Sequence, residues 1–208
     1  FRQNYVGPVV LKYANMLRVG DCAFDPVTNR IGVADLRMMT KDVAVHSDML
    51  LWSPDETAEN CALQLLNVMF SVPQISVRLT QIPDFQLRLL KSYLDYYRKN
   101  HRILTQSPIS VRHPETCYSA LSAEDPALNR RITVLYSEST VRADGSDTDV
   151  WNATGRESVV LLNDTDDALV ITVYDCMHDE IQQIISDSPV IALNIPLGGY
   201  VNITRQTT

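Results

Sequence analysis

Apolar and polar positions alternate with two different periods along this chain, and the change falls near Thr105. Before it, apolar residues recur at helical spacing between short strand-like runs. Residues 8–17 read as a short helix opened by Pro8, with Val9, Val10, Tyr13 and Leu17 near one face. Residues 18–30 read as a loop, because Gly20, Pro26 and Asn29 break any period. Residues 31–39 are ambiguous, compatible with a short helix. A strand is expected over 43–49. Ser53-Pro-Asp-Glu56 is a helix start, with a cap, a first-turn proline and acids that suit the dipole. That helix is expected to reach about Phe70, with Ala58, Cys61, Ala62, Leu65, Leu66 and Met69 on its apolar face. A second strand is expected over 72–79. Pro83-Asp84 opens a further helix to about His101, with Leu87, Leu90, Leu94 and Tyr97 inward.

Beyond Thr105 the runs are short and β-rich: 132–136, 159–162, 169–174, 190–195 and 200–203. Turn clusters such as Asp144-Gly-Ser separate them, and Gly198-Gly199 marks a tight turn before the last. This spacing predicts an antiparallel sandwich or barrel. In the first part, strand, helix and strand follow one another with polar residues at the end of the first strand. A (β/α) barrel displays a catalytic site in that way. About three such units fit, too few for a closed barrel of roughly 250 residues. The expected fold is therefore α/β plus all-β: the C-terminal part of a (β/α)8 TIM barrel over 1–105, then an antiparallel β-sandwich domain over 106–208.

Charge sharpens that division. Residues 1–137 hold 15 basic and 13 acidic side chains, whereas residues 138–208 hold 3 and 12. So acidic a second part argues against nucleic acid, whose phosphates need basic patches. No run is long and apolar enough for a membrane span. Cys22, Cys61, Cys117 and Cys176 lack metal-ligand spacing and read as reduced core or near-core thiols of a cytoplasmic protein. Neither a metal nor an organic cofactor is expected. Asn152, Asn163 and Asn202 open Asn-x-Thr sequons, which Thr-rich strand edges produce by chance. Asp144, Asp147 and Asp149 lack calcium-loop spacing and read as a solvated acidic turn. The chain opens on Phe1, from which a fragment or a processed product is expected.

Candidate chemistry concentrates in residues 18–79. Arg18 and Asp21 form an Arg-x-x-Asp step, Asp25 follows four residues later, and Asp48 ends the apolar run 43–49. Two carboxylates facing a sugar are the minimum equipment for glycoside hydrolysis. Asp21 is the candidate general acid/base, a role that needs a carboxyl kept protonated at working pH. Arg18 would oppose that if it touched Asp21, and is expected to order the loop or bind sugar hydroxyls. Asp25 is equally a hydroxyl acceptor or a loop brace. Asp48 is expected to bond a hydroxyl or brace Asp21. Met49 and Trp52 either offer apolar surface to a sugar face or belong to the core, and His46 offers a proton shuttle or a buried ring.

Three segments in register resemble retaining α-galactosidases of glycoside hydrolase family 36, related to family 27. They are Arg18-Val-Gly-Asp21 with Asp25, His46-Ser-Asp-Met-Leu-Leu-Trp52, and Ala62-Leu-Gln-Leu-Leu-Asn-Val-Met-Phe-Ser-Val-Pro-Gln-Ile-Ser-Val-Arg-Leu79. Val173-Tyr-Asp-Cys-Met177 and Ile195-Pro-Leu-Gly-Gly-Tyr200 extend the likeness into the β part. The resemblance implies a (β/α)8 barrel with a C-terminal β-sandwich, and two aspartates acting on a terminal α-galactosyl unit. It places the acid/base, at the end of the sixth strand, on Asp21. It places Arg2 and Gln3 at the end of the fifth strand, where Arg2 could touch substrate. The family's nucleophile, in a Lys-x-Asp motif, has no counterpart upstream of Asp21. The isolated chain is therefore expected to be inactive until the missing N-terminal half joins it. The implied partner is an α-galactoside oligosaccharide, and a homo-oligomer stays open. The alternative reading is a non-catalytic carbohydrate-binding or structural module.

Overall fold

The computed structural model describes residues 7–21, 25–40 and 43–206. The chain divides into two compact units, Phe1–Ile109 and Ser110–Thr208. The first mixes helix and sheet, and the second is almost all sheet. Among the described residues no helix is long and apolar enough to cross a membrane.

In the first unit a 3-10 turn, Pro8–Lys12, is followed by strand β1 (Met16–Arg18). The helix expected over 8–17 is thus only a short 3-10 helix, since residues 16–18 pair with β2 as a strand. Helix α1 (Pro26–Met39) fills most of the span read as loop and ambiguous helix. Pro26, read as a breaker, is its first residue, where its missing N–H costs nothing. Strand β2 (Ala44–Leu50), helix α2 (Ala58–Asn67), strand β3 (Val72–Ile75), and helices α3 (Asp84–Lys99) and α4 (His101–Gln106) complete the unit. The three strands are parallel and lie in sequence order, β1-β2-β3. This sheet is open, and the described residues form no closed barrel.

Two expectations fail here through tertiary contacts. α2 begins at Ala58, capped by Thr57, not at Ser53. The buried Gln86 amide donates to the carbonyls of Ser53, Pro54 and Glu56 at 3.1, 3.1 and 2.9 Å, which holds that segment as a turn. For the same reason α3 turns a different face inward. Gln86, Leu89, Leu90, Tyr93, Tyr96 and Tyr97 are buried, while Leu87 is exposed. Arg37 of α1 is buried too. It donates to the carbonyls of Phe70, Leu104 and Ser107, and burial lowers its guanidinium to about 10.

The described residues of the second unit form ten strands: β4 (Ile109–Arg112), β5 (Ala120–Asp125), β6 (Arg130–Leu135), β7 (Thr140–Ala143), β8 (Asp147–Asn152), β9 (Ser158–Asn163), β10 (Leu169–Tyr174), β11 (Glu180–Ser186), β12 (Val190–Asn194) and β13 (Tyr200–Arg205). They form a seven-stranded sheet, β11-β10-β13-β8-β6-β5-β4, and a three-stranded sheet, β12-β9-β7. One core joins their facing sides, with Leu135, Val150, Ile171, Val201 and Ile203 from the first sheet and Val141, Leu161, Ile191 and Leu193 from the second. The sheets are not purely antiparallel as expected. β6 pairs β8 in parallel, and so does β7 with β9. The chain alternates between sheets from β6 to β9, so strands two apart return to one sheet in the same direction. Alternation with period two reports which face is buried but not strand direction.

The polar residues of this unit are built into the fold. Asn152 and Asn163 end β8 and β9 in the same side-chain turn. Each amide oxygen accepts from the N–H and hydroxyl of the Thr two residues on, and each amide nitrogen donates to a carbonyl four residues on. Asn202 donates to Asp147 and Asp149. The three sequons therefore mark structural amides. The acidic turn is not simply solvated either. Arg130 grips Asp147 and the buried Asp149, and Arg131 grips Glu124 and Asp144. Burial would raise Asp144, but hydrogen bonds from Ser146 and Arg131 outweigh it and hold its carboxyl at about 2. Of the cysteines, Cys61 and Cys176 are buried, whereas Cys117 is exposed, in a turn with left-handed backbone. Cys22 lies outside the described residues.

Stacked rings of Trp151, Tyr200 and Tyr174 cross β8, β13 and β10, and His178 packs edge-on against Trp151 and Tyr200. Burial lowers the imidazole from 6.5 to about 4, against the opposing pull of Asp175 and Asp179. The unfolded chain then binds the extra proton between these values. Stability is full above pH 6.5 and falls as pH drops toward 4, by up to about 3 kcal/mol. Urea midpoints measured over that window should fall with pH in the native protein and fall less steeply in His178→Phe. An unchanged slope in the variant would exclude this histidine as the source.

Candidate functional site

The parallel sheet of the first unit places chemistry at the carboxyl ends of β1 and β2. Arg18 ends β1, and Val19 prolongs the pairing by donating to the His46 carbonyl at 2.9 Å. Gly20 then takes a left-handed conformation, φ 55°. A side chain there would be strained, and its Cβ would lie 3.2 Å from Asp48 Oδ2. The glycine thus lets the loop cross beside the carboxylate and present Asp21.

In β2 the register to β3 shifts between His46 and Met49. Side chains replace ladder bonds at this irregularity. Ser47 Oγ donates to the Asp48 carbonyl at 2.8 Å and accepts from the Gln74 N–H at 2.9 Å. Asn29 Oδ1 accepts from the Asp48 N–H at 3.0 Å, and its Nδ2 donates to the Asp48 carbonyl at 3.4 Å. Held from both sides, Asp48 is only 4% exposed. Its Oδ1 accepts from Arg18 Nη2 at 2.7 Å and from the Met49 N–H at 2.8 Å. Arg18 Nη1 donates to Asp21 Oδ1 at 3.2 Å. One guanidinium therefore bridges a buried carboxylate and a half-exposed one.

Beside this triad opens a cleft of about 590 Å³. Gly20, Asp21, Asn29, Asp48 and Gln64 supply polar wall, and Val19, Ile31, Met49 and Leu51 supply apolar wall. Such a mixed lining suits a polyol, with carboxylates for hydroxyls and apolar carbon for the ring face.

The remaining expected residues fall elsewhere or take other work. Asp25 touches the cleft, yet its carboxylate caps α1, accepting from the Thr28 N–H at 2.8 Å and its hydroxyl at 2.5 Å. Those bonds hold it below the usual carboxylate range. Trp52 is outside the lining and donates through Nε1 to Gln86 at 3.0 Å. His46 is half-buried, and burial with the nearby Arg18 charge lowers its ring. Arg2 and Gln3 lie outside the described residues. Among the described residues no group of three or more His, Cys, Asp or Glu side chains converges as a metal site.

Asn29, Gly20 and Gln64 escaped the sequence reading. A signal for Asn29 existed: Asp25-Pro-x-Thr28 is a helix start, which puts Asn29 on the first turn. Set beside known proteins, the chain matches no family model and no curated sequence.

Proposed function

We propose that this chain carries the acid/base half of a retaining α-galactosidase site, on part of a (β/α)8 barrel followed by a β-sandwich. The observation that carries the reading is the Arg18 guanidinium bridging Asp21 and Asp48, at the carboxyl ends of adjacent parallel strands, beside a cleft of mixed lining. Parallel strands in sequence order, with helices between them, support the barrel reading.

Asp21 is the more exposed of the two carboxylates. It is 49% exposed at its side chain, and its contact with Arg18 is the longer of the two. An exposed ion pair is worth about 0–1 kcal/mol, so the Arg18 contact, which opposes the proton a general acid must carry, is a weak restraint, and on this reading Asp21 is the group that passes a proton to the glycosidic oxygen. It would then activate the water that releases the galactosyl-enzyme intermediate. Asp48 stays on Arg18 and the Met49 N–H, its second oxygen free to accept a sugar hydroxyl. The nucleophile, required about 5 Å from the acid/base, has to come from polypeptide outside these residues.

Two measurements test the reading. The chain alone is expected to bind a galactose-configured iminosugar, moving the amide resonances of Gly20, Asp48 and Met49, and to show no turnover of an aryl α-galactoside. Joined to a segment bearing the Lys-x-Asp motif, it is expected to turn over. No resonance change with any galactose-configured ligand, or robust turnover by the purified chain alone, would sink the proposal. Binding without turnover in the longer protein would favour a carbohydrate-binding module instead.

A further inference from the structure

The polar wall of the cleft in the first unit is one-sided in its chemistry. Its carboxylates, Asp21, Asp25 and Asp48, only accept hydrogen bonds while ionised. The Thr28 hydroxyl donates to Asp25, and the Asn29 carboxamide is turned onto both polar groups of the Asp48 peptide. A sugar hydroxyl has one O–H to give and lone pairs to be filled. The carboxylates meet the first need and leave the second open.

Gln64 is placed to meet it. Helix α2 carries Asn60, Gln64 and Asn67 at spacings of four and three residues, which sets them on one face. The outer two serve the fold. Asn60 donates to Glu56 at 2.7 Å, and Asn67 accepts from Arg30 at 3.1 Å and donates to the Leu63 carbonyl at 2.7 Å. Gln64, between them, is half-buried in the cleft wall, and among the described residues its carboxamide has no hydrogen-bond partner. A long side chain held there gives up rotamer freedom and hydration, and the fold returns no bond for them. Stability is forgone in this way where a residue serves function.

We infer that Gln64 is a specificity-determining residue of the cleft, its carboxamide N–H donating to a hydroxyl oxygen of the ligand. That this ligand is a galactoside rests on the function proposed above. With a donor set among acceptors, the cleft reads both capacities of the ligand's hydroxyls. An analogue without the accepting hydroxyl leaves the Gln64 N–H unpaired and is rejected for that reason.

NMR titration of the intact chain with methyl α-galactoside, a neutral probe, followed at the Gly20 and Met49 amides, tests this assignment. Gln64→Leu is expected to weaken binding about 3–10-fold, the worth of one neutral hydrogen bond. Gln64→Glu keeps the length and the acceptor oxygens but has no N–H, and is expected to lose at least as much. One monodeoxy analogue of the probe should bind the native chain as weakly as the probe binds Gln64→Leu, and that variant should not distinguish the two. Because the Gln64 carboxamide bonds nothing in the fold, the urea midpoint of Gln64→Leu should equal or exceed the native one. Full affinity in Gln64→Leu or Gln64→Glu, a variant that still discriminates every deoxy analogue as the native chain does, or a lowered urea midpoint would overturn this inference alone. No binding by the native chain would overturn it together with the α-galactosidase reading.

Discussion

On the proposed α-galactosidase reading, Asp21→Asn in this chain joined to a nucleophile-bearing segment is expected to lower turnover of a natural α-galactoside by roughly 10²–10⁴-fold, the usual worth of general acid–base catalysis. The loss should depend on the leaving group. An aryl oxygen departs with little protonation, so the first step survives and a burst of aryl product precedes slow deglycosylation. Added azide should then accelerate turnover, since an anionic nucleophile needs no general base. Asp48→Asn removes the negative charge that holds Arg18 at 2.7 Å, not a proton carrier, so its defect should resist azide. Normal activity of Asp21→Asn on oligosaccharides, or azide rescue of Asp48→Asn instead, would reassign the acid/base.

Asn152→Ala is expected to destabilise the second unit by roughly 2–4 kcal/mol, because several buried polar groups lose their partners at once. Its amide, fully buried, donates to the carbonyls of Arg156 at 2.9 Å and Ile195 at 2.7 Å and accepts from the Thr154 N–H and hydroxyl. The Ile195 bond reaches from the end of β8 to the end of β12 and so ties the two sheets. Asn163 makes the same local turn nearer the surface, with no cross-sheet bond of this kind given by its contacts, and Asn163→Ala should cost less. Urea midpoints followed by Trp151 fluorescence, in a Trp52→Phe background, measure both. A loss below about 1 kcal/mol for Asn152→Ala would show that water or relaxation replaces the amide.

Part of the candidate site's arrangement was legible in the sequence. The Arg-x-x-Asp step and the strand ending in Asp48 are local patterns, and the fold brings Asp21 and Asp48 to one cleft with Arg18 bridging them. What escaped was how each would be held. Asp25 looked free to serve either role, and is committed to capping because Pro26 starts a helix behind it. Trp52 looked like sugar surface, and is bonded to Gln86, thirty-four residues away.

The sequence by itself determined where apolar period changes, and so where helices give way to strands, because periodicity is a property of neighbours along the chain. It likewise marked β10 at its observed bounds and the glycine turn before β13. Tertiary structure decided the rest. Gln86 moved the start of α2 by taking carbonyls a helix would have used, and α3 buries Leu89, Tyr93 and Tyr96 beside the expected Leu90 and Tyr97 while leaving Leu87 exposed. Exchange between sheets made β6 and β8 parallel, and arginines across strands absorbed the acidic turn. In each case a partner distant in sequence outbid a local preference, since a buried polar group must find its hydrogen bond wherever the fold provides one.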